Sequence, residues 1–269
     1  FFDGRKNSRD EYLAAGGVIA HHSVMTHQNP IAQGGKSIYG AAVGILMLEA
    51  QFPRIPGDMG NALSWPFPVH YKVVRGASPD LVVRRRAENM LNPFIDAARE
   101  LVADGVDGIT TNCGFLALFQ AELAAAVPVP VLTSSLMQWD MVARLLPDGK
   151  RPGIMTISAS SLSPDHLIAA GIPTDASITT TEGRREFSRA ILDNEAEMNV
   201  DLARQDNIDA AKALAADPTV GAIILECTNM IPYAADIRHA TGLPVFSIYQ
   251  FVTWFQASLT PPRFPHHHQ

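Results

Sequence analysis

Cysteine is nearly absent from the sequence, which has only Cys113 and Cys227 among 269 residues. Two cysteines cannot build the disulfide framework of a small secreted protein. The first residues also lack the pattern of a secretory signal peptide, so we expect a cytoplasmic protein. In that reducing setting both thiols stay free and are available for chemistry.

Basic charge and long hydrophobic runs are scarce as well. The 21 Lys and Arg residues are outnumbered by 27 Asp and Glu residues, and the net charge is -6. This balance argues against nucleic acid or an anionic membrane as a partner. No segment reaches the roughly 20 apolar residues that cross a bilayer. Hydrophobic residues still make up 47% of the chain, which indicates a compact globular protein large enough to be an enzyme.

The usual cofactor motifs are also missing. No G-x-G-x-x-G pattern follows the first predicted strand, so nothing indicates a dinucleotide. The histidines show no metal-ligand spacing with cysteine or carboxylate residues, and no lysine follows a clear strand as a Schiff-base lysine would. We therefore predict a protein with neither a metal nor an organic cofactor.

From residue 39 onward, short β-type runs alternate with helical patterns, which is typical of an α/β fold with parallel sheets. Strands are predicted at 39–48, 67–74, 106–111, 129–135, 153–158, 176–181, 221–226 and 243–249. Helices are predicted at 87–105, 115–127, 163–170, 230–241, in a segment ending at 146, in two pieces within 184–216, and after 249.

The segment PDGKRPG (147–153) combines proline, glycine and charge between two periodic blocks, and it is the expected domain boundary. The predicted order is an N-terminal extension or arm, a first α/β domain that carries Cys113, a second that carries Cys227, and a C-terminal helix and tail. Their ranges are 1–37, 38–148, 149–249 and 250–269.

The two halves repeat at a single offset. Cys113 aligns with Cys227, Pro130 aligns with Pro244, and DGITTNCGFL lies over GAIILECTNM. Each half therefore has a strand, a cysteine, a helix and a strand that begins with proline. This repeat predicts two similar open parallel-sheet, flavodoxin-like domains related by pseudo-two-fold symmetry, with the active site between them.

The repeat also predicts where the thiols lie. Ligands of open α/β sheets bind at the carboxyl ends of the strands, so pairing of the halves would bring Cys113 and Cys227 to one cleft. Each cysteine is at or just before a helix N-terminus, where backbone N–H groups favour a thiolate. The alternative is that both cysteines are small buried hydrophobic residues.

Two thiols on opposite faces of one carbon can invert a stereocentre without a cofactor, because one removes a proton while the other delivers one. The carbanion needs hydrogen-bond donors that hold the neighbouring carboxylate or carbonyl group. Candidate substrate-binding residues beside the thiols and on nearby segments are Asn112, Gly114, Phe115, Thr228, Asn229, Ser134, Ser135, Asp58 and Asn61. For Asp58 and Asn61 the alternative is simple turn formation.

The paired segments NCGF (112–115) and ECTN (226–229) resemble the aspartate/glutamate/hydantoin racemase superfamily, over about residues 39–249. The resemblance implies a cofactor-independent isomerase, in which Cys113 and Cys227 are the acid/base thiols. It also implies that the substrate is a small carboxylate and that a homodimer is one assembly the protein can form.

The resemblance also implies individual binding roles. Thr228, with the amides around Gly114 and Asn229, would hold the carboxylate, and the loop 53–61 would help to close the site. Asn112 precedes the first cysteine here, whereas an Asn-Thr pair follows it in many amino-acid racemases.

Three functions follow from these observations. The first is a racemase or epimerase acting at the carbon α to a carboxylate or carbonyl of an amino acid or related small acid. The second is an isomerase or decarboxylase/lyase of the same superfamily on a small dicarboxylate, with Cys113 as nucleophile or Cys227 as sole proton donor. The third is a protein that binds a small carboxylate without turning it over.

Overall fold

A computed structural model describes residues 31–264. Residues 1–30 of the predicted arm and residues 265–269 of the predicted tail lie outside this described part. The chain divides into a unit of residues 1–35 and a unit of residues 36–269. The second unit contains both sheets and both cysteines.

The first half forms a four-stranded parallel sheet with the order β2-β1-β3-β4. Its strands are β1 (Val43–Leu48), β2 (Val69–Val74), β3 (Gly108–Thr111) and β4 (Val131–Leu132). The second half forms another parallel sheet with the order β6-β5-β7-β8. Its strands are β5 (Arg151–Thr156), β6 (Ser177–Thr180), β7 (Val220–Leu225) and β8 (Val245–Phe246).

Helices connect the strands, as parallel pairing requires. The α-helices are α1 (Pro79–Val83), α2 (Leu91–Asp104), α3 (Gln120–Ala126), α4 (Trp139–Leu145), α5 (Pro164–Ala169), α6 (Phe187–Leu192), α7 (Val200–Ala215), α8 (Ala234–Thr241) and α9 (Ile248–Leu259). Four 3₁₀ helices are Ala62–Ser64, Gly114–Phe119, Ser135–Gln138 and Thr228–Tyr233. Within the described residues, no helix is long and apolar enough to cross a membrane.

The predicted fold class is confirmed. Both sheets are parallel throughout. The strand order of the second sheet is that of the first with four added to each strand number. The backbone bonds before the thiols repeat too, because Asn112 donates to the carbonyl of Leu46 on β1 and Glu226 donates to that of Met155 on β5. The two halves therefore present equivalent strand ends.

Several predicted boundaries are wrong. Helix α2 begins at Leu91 rather than at residue 87, because Ala87 and Asn89 have φ angles of 52° and 59° and cannot continue a right-handed helix. The last predicted strand ends at Phe246, because the Ser247 side chain caps the N-terminus of α9. The sequence prediction also missed α1, whose start is marked by the capping residue Ser78 and by Pro79.

Helix α9 covers one face of the first sheet. Val252 is fully buried there and packs in a cluster with Val43 and Ile45 of β1. Gly108 on β3 leaves room for the ring of Phe255, which would lie 2.6 Å from a Cβ atom at that position. The closing helix therefore packs against the first half.

Candidate active site

Both cysteines line one cavity at the carboxyl ends of the central strands. The walls come from both halves of the chain, and the cavity volume is about 20 Å³, room for roughly one water molecule. The lining residues are Leu48, Phe52, Pro79, Val83, Asn112, Cys113, Gly114, Phe115, Ile157, Ile191, Leu192, Glu226, Cys227, Thr228 and Asn229. Seven of the residues predicted from the sequence are therefore brought together.

Each thiol lies at the start of a 3₁₀ helix. Cys113 directly precedes Gly114–Phe119, and Cys227 directly precedes Thr228–Tyr233. The N–H groups of Phe115 and Leu116 face Cys113 and favour its thiolate, and the N–H group of Asn229 does so at Cys227. The two thiols thus occupy equivalent positions in different surroundings.

Burial decides the protonation of both thiols. It raises the pKa of Cys113 and of Cys227 well above the usual range, and the negative charge of Glu226 raises both further. The backbone N–H groups favour the thiolates, as the sequence predicted, but burial outweighs them in this cavity. A thiolate here needs either water or a nearby positive charge.

A chain of polar side chains leads away from Cys227. The Cys227 thiol donates to Oδ1 of Asn229 at 3.5 Å, and Nδ2 of Asn229 donates to Oδ2 of Asp58 at 2.6 Å. The other carboxylate oxygen of Asp58 accepts from Nη1 of Arg54 at 2.9 Å and from the N–H of Gly60 at 2.7 Å.

This chain fixes the orientation of an amide. Because a carboxylate only accepts hydrogen bonds, Asp58 turns the NH₂ group of Asn229 toward itself and the amide oxygen toward the thiol. Cys227 is therefore held as a protonated donor. Asp58 lies outside the cavity and acts through Asn229.

Glu226 contributes a carboxyl group to the cavity wall. The side chain is 1% exposed, and its Oε2 accepts from the hydroxyl of Thr156 at 2.8 Å. Burial raises the pKa of Glu226 to about 7, although the hydrogen bonds from Thr156 and from the N–H of Ile157 favour the carboxylate. In the repeat Glu226 occupies the position of Asn112, whose Oδ1 accepts from the N–H of Leu48 at 2.8 Å.

Hydrogen bonds from Thr228 and Ser135 also join the halves beside the cavity. The hydroxyl of Thr228 donates to the carbonyl of Asn112 at 2.6 Å, and the hydroxyl of Ser135 donates to the carbonyl of Leu225 at 2.5 Å. Thr228 therefore lines the cavity, while its hydroxyl group is already hydrogen-bonded to the first half of the chain.

Ser134, Ser135 and Asn61 are not brought to the cavity wall. Ser134 caps the 3₁₀ helix Ser135–Gln138, and Asn61 accepts from the N–H of Leu63 and donates to the carbonyl of Arg54. Asn61 thus has the turn-forming role that was the alternative to substrate binding. The polar atoms of these side chains are engaged in structural hydrogen bonds.

The sequence prediction missed the apolar roof of the cavity. Pro79 and Val83 come from α1, and Ile191 and Leu192 come from α6. These residues carry no reactive group, so only the contact between two helices distant in the sequence identifies them. Within the described residues, no group of three or more His, Cys, Asp or Glu side chains could hold a metal ion.

No family model matches the chain. It is similar to the dimethylsulfoniopropionate lyase of Durusdinium sp. clade D, with 29% identity over 238 residues, 85% of this chain and 78% of that protein. It is also similar to dimethylsulfoniopropionate lyase 3 of Emiliania huxleyi (strain CCMP1516), with 30% identity over 235 residues. That match covers 83% of this chain and 61% of the relative.

Solved structures share the fold. Arylmalonate decarboxylase matches 82% of this chain and 93% of its own, with a TM-score of 0.52 and 16% identity. Picrophilus torridus aspartate racemase matches 84% and 96%, with a TM-score of 0.53 and 11% identity. Allantoin racemase from Pseudomonas fluorescens matches 84% and 100%, with a TM-score of 0.52 and 15% identity. These likenesses agree with the fold implied by the racemase resemblance, and a fold alone does not assign a reaction.

Proposed function

We propose that the protein is a lyase that removes a proton α to a carboxylate and expels a sulfonium group from the β-carbon, as in dimethylsulfoniopropionate. The observation that carries the proposal is the inequivalence of the two thiols. Asn229 holds Cys227 protonated, whereas two backbone N–H groups face Cys113. One base and one fixed donor suit an elimination, which needs a single proton abstraction.

The reaction balances with groups in the cavity and the substrate. The Cys113 thiolate takes the α-proton, and the electrons of the C–H bond form the double bond between the α- and β-carbons. The β-carbon–sulfur bond breaks, and its electron pair leaves with sulfur. Dimethylsulfoniopropionate would yield acrylate and dimethyl sulfide, and the Cys113 proton would pass to solvent.

A cationic substrate also favours formation of the base. Burial and Glu226 hold Cys113 protonated, and a positive charge bound nearby lowers a thiol pKa. A dicarboxylate would add negative charge beside Glu226 and oppose ionisation of Cys113. This favours the sulfonium substrate over the dicarboxylate inferred from the sequence.

The expected carboxylate contacts remain part of the proposal. The N–H groups near Gly114 and Asn229 and the hydroxyl of Thr228 would hold the carboxylate as charge develops on it. For the Thr228 hydroxyl, this requires exchange of its hydrogen bond to the carbonyl of Asn112.

A racemase is the second candidate, because both thiols lie at equivalent repeat positions and line the same cavity. In a racemase both thiols exchange protons with the same carbon, so Cys227 would have to release the proton that it donates to Asn229. The similar sequences named as lyases favour elimination.

Proton NMR in D₂O distinguishes the candidates. The purified protein should convert dimethylsulfoniopropionate to acrylate and dimethyl sulfide, and it should leave the α-protons of a panel of amino acids and hydantoins unexchanged. α-Deuterium incorporation into a panel member, without acrylate formation from the sulfonium compound, would favour the racemase instead.

A further inference from the structure

One oxygen of the Glu226 carboxyl group has no hydrogen-bond partner within the described structure. This atom, Oε1, is buried, while Oε2 is held by the hydroxyl of Thr156. A buried carboxylate oxygen normally has a donor, because desolvation without a hydrogen bond is costly. The bond to Thr156 fixes the carboxyl group and leaves Oε1 available to a ligand.

Oε1 lies against Gly114, which lines the same cavity. A Cβ atom at Gly114 would lie 2.3 Å from Oε1, so the absence of a side chain at Gly114 makes room for this oxygen. Glu226 and Gly114 both line the cavity, together with the aromatic residues Phe52 and Phe115. Within the described chain, no Lys, Arg or His belongs to this lining.

We propose that Glu226 is a specificity-determining residue that recognises the positive charge of the substrate's β-substituent. It would select carboxylates that carry a sulfonium or quaternary ammonium group over neutral or dianionic acids of the same size. The inference rests on the proposed lyase function, since it assigns the leaving-group end of the same cavity.

The positive charge of the substrate explains both the expected preference for sulfonium compounds and the expected effect of Glu226 on KM and kcat. A sulfonium beside an ionised, buried carboxylate is attracted far more strongly than in water. During elimination the sulfur loses its positive charge, so this attraction is stronger in the bound substrate than in the transition state. Removing the carboxylate should therefore raise KM, while kcat stays the same or increases.

Two isosteric probes test recognition without turnover. 3-(Trimethylammonio)propanoate and 4,4-dimethylpentanoate have the same shape and differ in one positive charge. Calorimetry should give a Kd ratio that favours the ammonium probe in the wild type and falls about tenfold or more in Glu226→Gln. Glu122→Gln, which changes an exposed glutamate on α3, should leave the ratio unchanged.

A ratio that changes less than about twofold in a folded Glu226→Gln protein would overturn the proposal. If that variant does not fold, the wild type decides, because equal or weaker binding of the ammonium probe contradicts a cation site. A merely structural role would lower kcat for dimethylsulfoniopropionate without changing the Kd ratio, and that result would also overturn the proposal.

The outcomes separate this inference from the lyase proposal. A charge preference that depends on Glu226, without dimethyl sulfide release, would support cation recognition and contradict the lyase function. Release of dimethyl sulfide with an unchanged ratio in Glu226→Gln would support the lyase and contradict the role of Glu226.

Discussion

Gly114 has little room for any substitution. A Cβ atom there would lie 2.3 Å from both the backbone oxygen and Oε1 of Glu226. Gly114→Ala should therefore lower stability by about 1–3 kcal/mol and reduce activity, because one half must move away from the other. Chemical denaturation measures the first effect, and Gly34→Ala, whose Cβ would have no atom of the described residues within 4 Å, is the control.

A double variant identifies the obstacle at Gly114. Adding Glu226→Ala removes Oε1 but leaves the backbone oxygen in place, so it should not restore the stability of Gly114→Ala. Full recovery would mean that the carboxyl group alone limits the approach of the two halves.

His166 makes stability depend on pH. It packs edge-on against Phe115, with ring centroids 5.1 Å apart, and burial lowers its pKa from 6.5 to about 4. Between these values the unfolded chain binds more protons than the folded chain, so stability falls as the pH decreases from 6.5 toward 4.

His166→Gln tests this pH dependence. Glutamine keeps a side-chain acceptor for the N–H of Ser163 in the capping box but does not titrate. The plot of unfolding free energy against pH should be flatter in the variant over this range. An unchanged slope would assign the acid sensitivity to other groups.

Helices α1 and α6 form the roof, and we expect them to separate when a substrate larger than a water molecule enters. Exposed contacts join the end of α1, and the loop after β1, to the residues that follow α6. Nη1 of Arg84 contacts Oδ1 of Asp193 at 2.8 Å, and the backbone N–H of Gln51 donates to Oδ1 of Asn194 at 2.7 Å. Since exposed ion pairs contribute little stability, the roof can open without unfolding the halves.

Arg84→Ala should increase the rate of thiol modification by iodoacetamide severalfold, while stability changes by less than about 1 kcal/mol. Arg144→Ala, which removes the exposed pair with Asp140 on α4, controls for loss of an arginine. Equal modification rates in the two variants and the wild type would show that the cavity opens elsewhere.

The sequence predicted elements well where hydrophobic periodicity was strong, and poorly where tertiary contacts set the ends. Strand β7, predicted at 221–226 and observed at Val220–Leu225, belongs to the first group. Strands β4 and β8 are two residues each, because the residues after them already begin helical turns capped by Ser134 and Ser247. Side-chain caps of this kind outweigh the β propensity of a short apolar run.

At the scale of the whole molecule, the repeat made the central part of the site predictable. One offset placed Cys113 and Cys227 at equivalent strand ends, and the structure brings both to one cavity. The inequivalence of the thiols could not be predicted, because it depends on Asp58, which is 171 residues from Asn229 in the sequence. The burial of Glu226 between the halves was likewise invisible in its local sequence.

The proposed function depends on the joining of two similar halves, each of which contributes one thiol. If only Cys113 is the base, substitution of Cys113 should lower activity more than substitution of Cys227, although the repeat places the two cysteines at equivalent positions. This asymmetry is the central claim, and it separates elimination from two-base racemisation.

The most direct test is the rate of dimethyl sulfide release from dimethylsulfoniopropionate by Cys113→Ser and Cys227→Ser, measured by headspace gas chromatography. Loss of a general base costs about 10²–10⁴-fold, so Cys113→Ser should be slower than the wild type by that factor. Cys227→Ser, in which the new hydroxyl can still donate to Asn229, should retain at least about a tenth of the activity, well above the level left by loss of the base. Equal losses in the two variants, or a larger loss in Cys227→Ser, would contradict the assignment of Cys113 as the base.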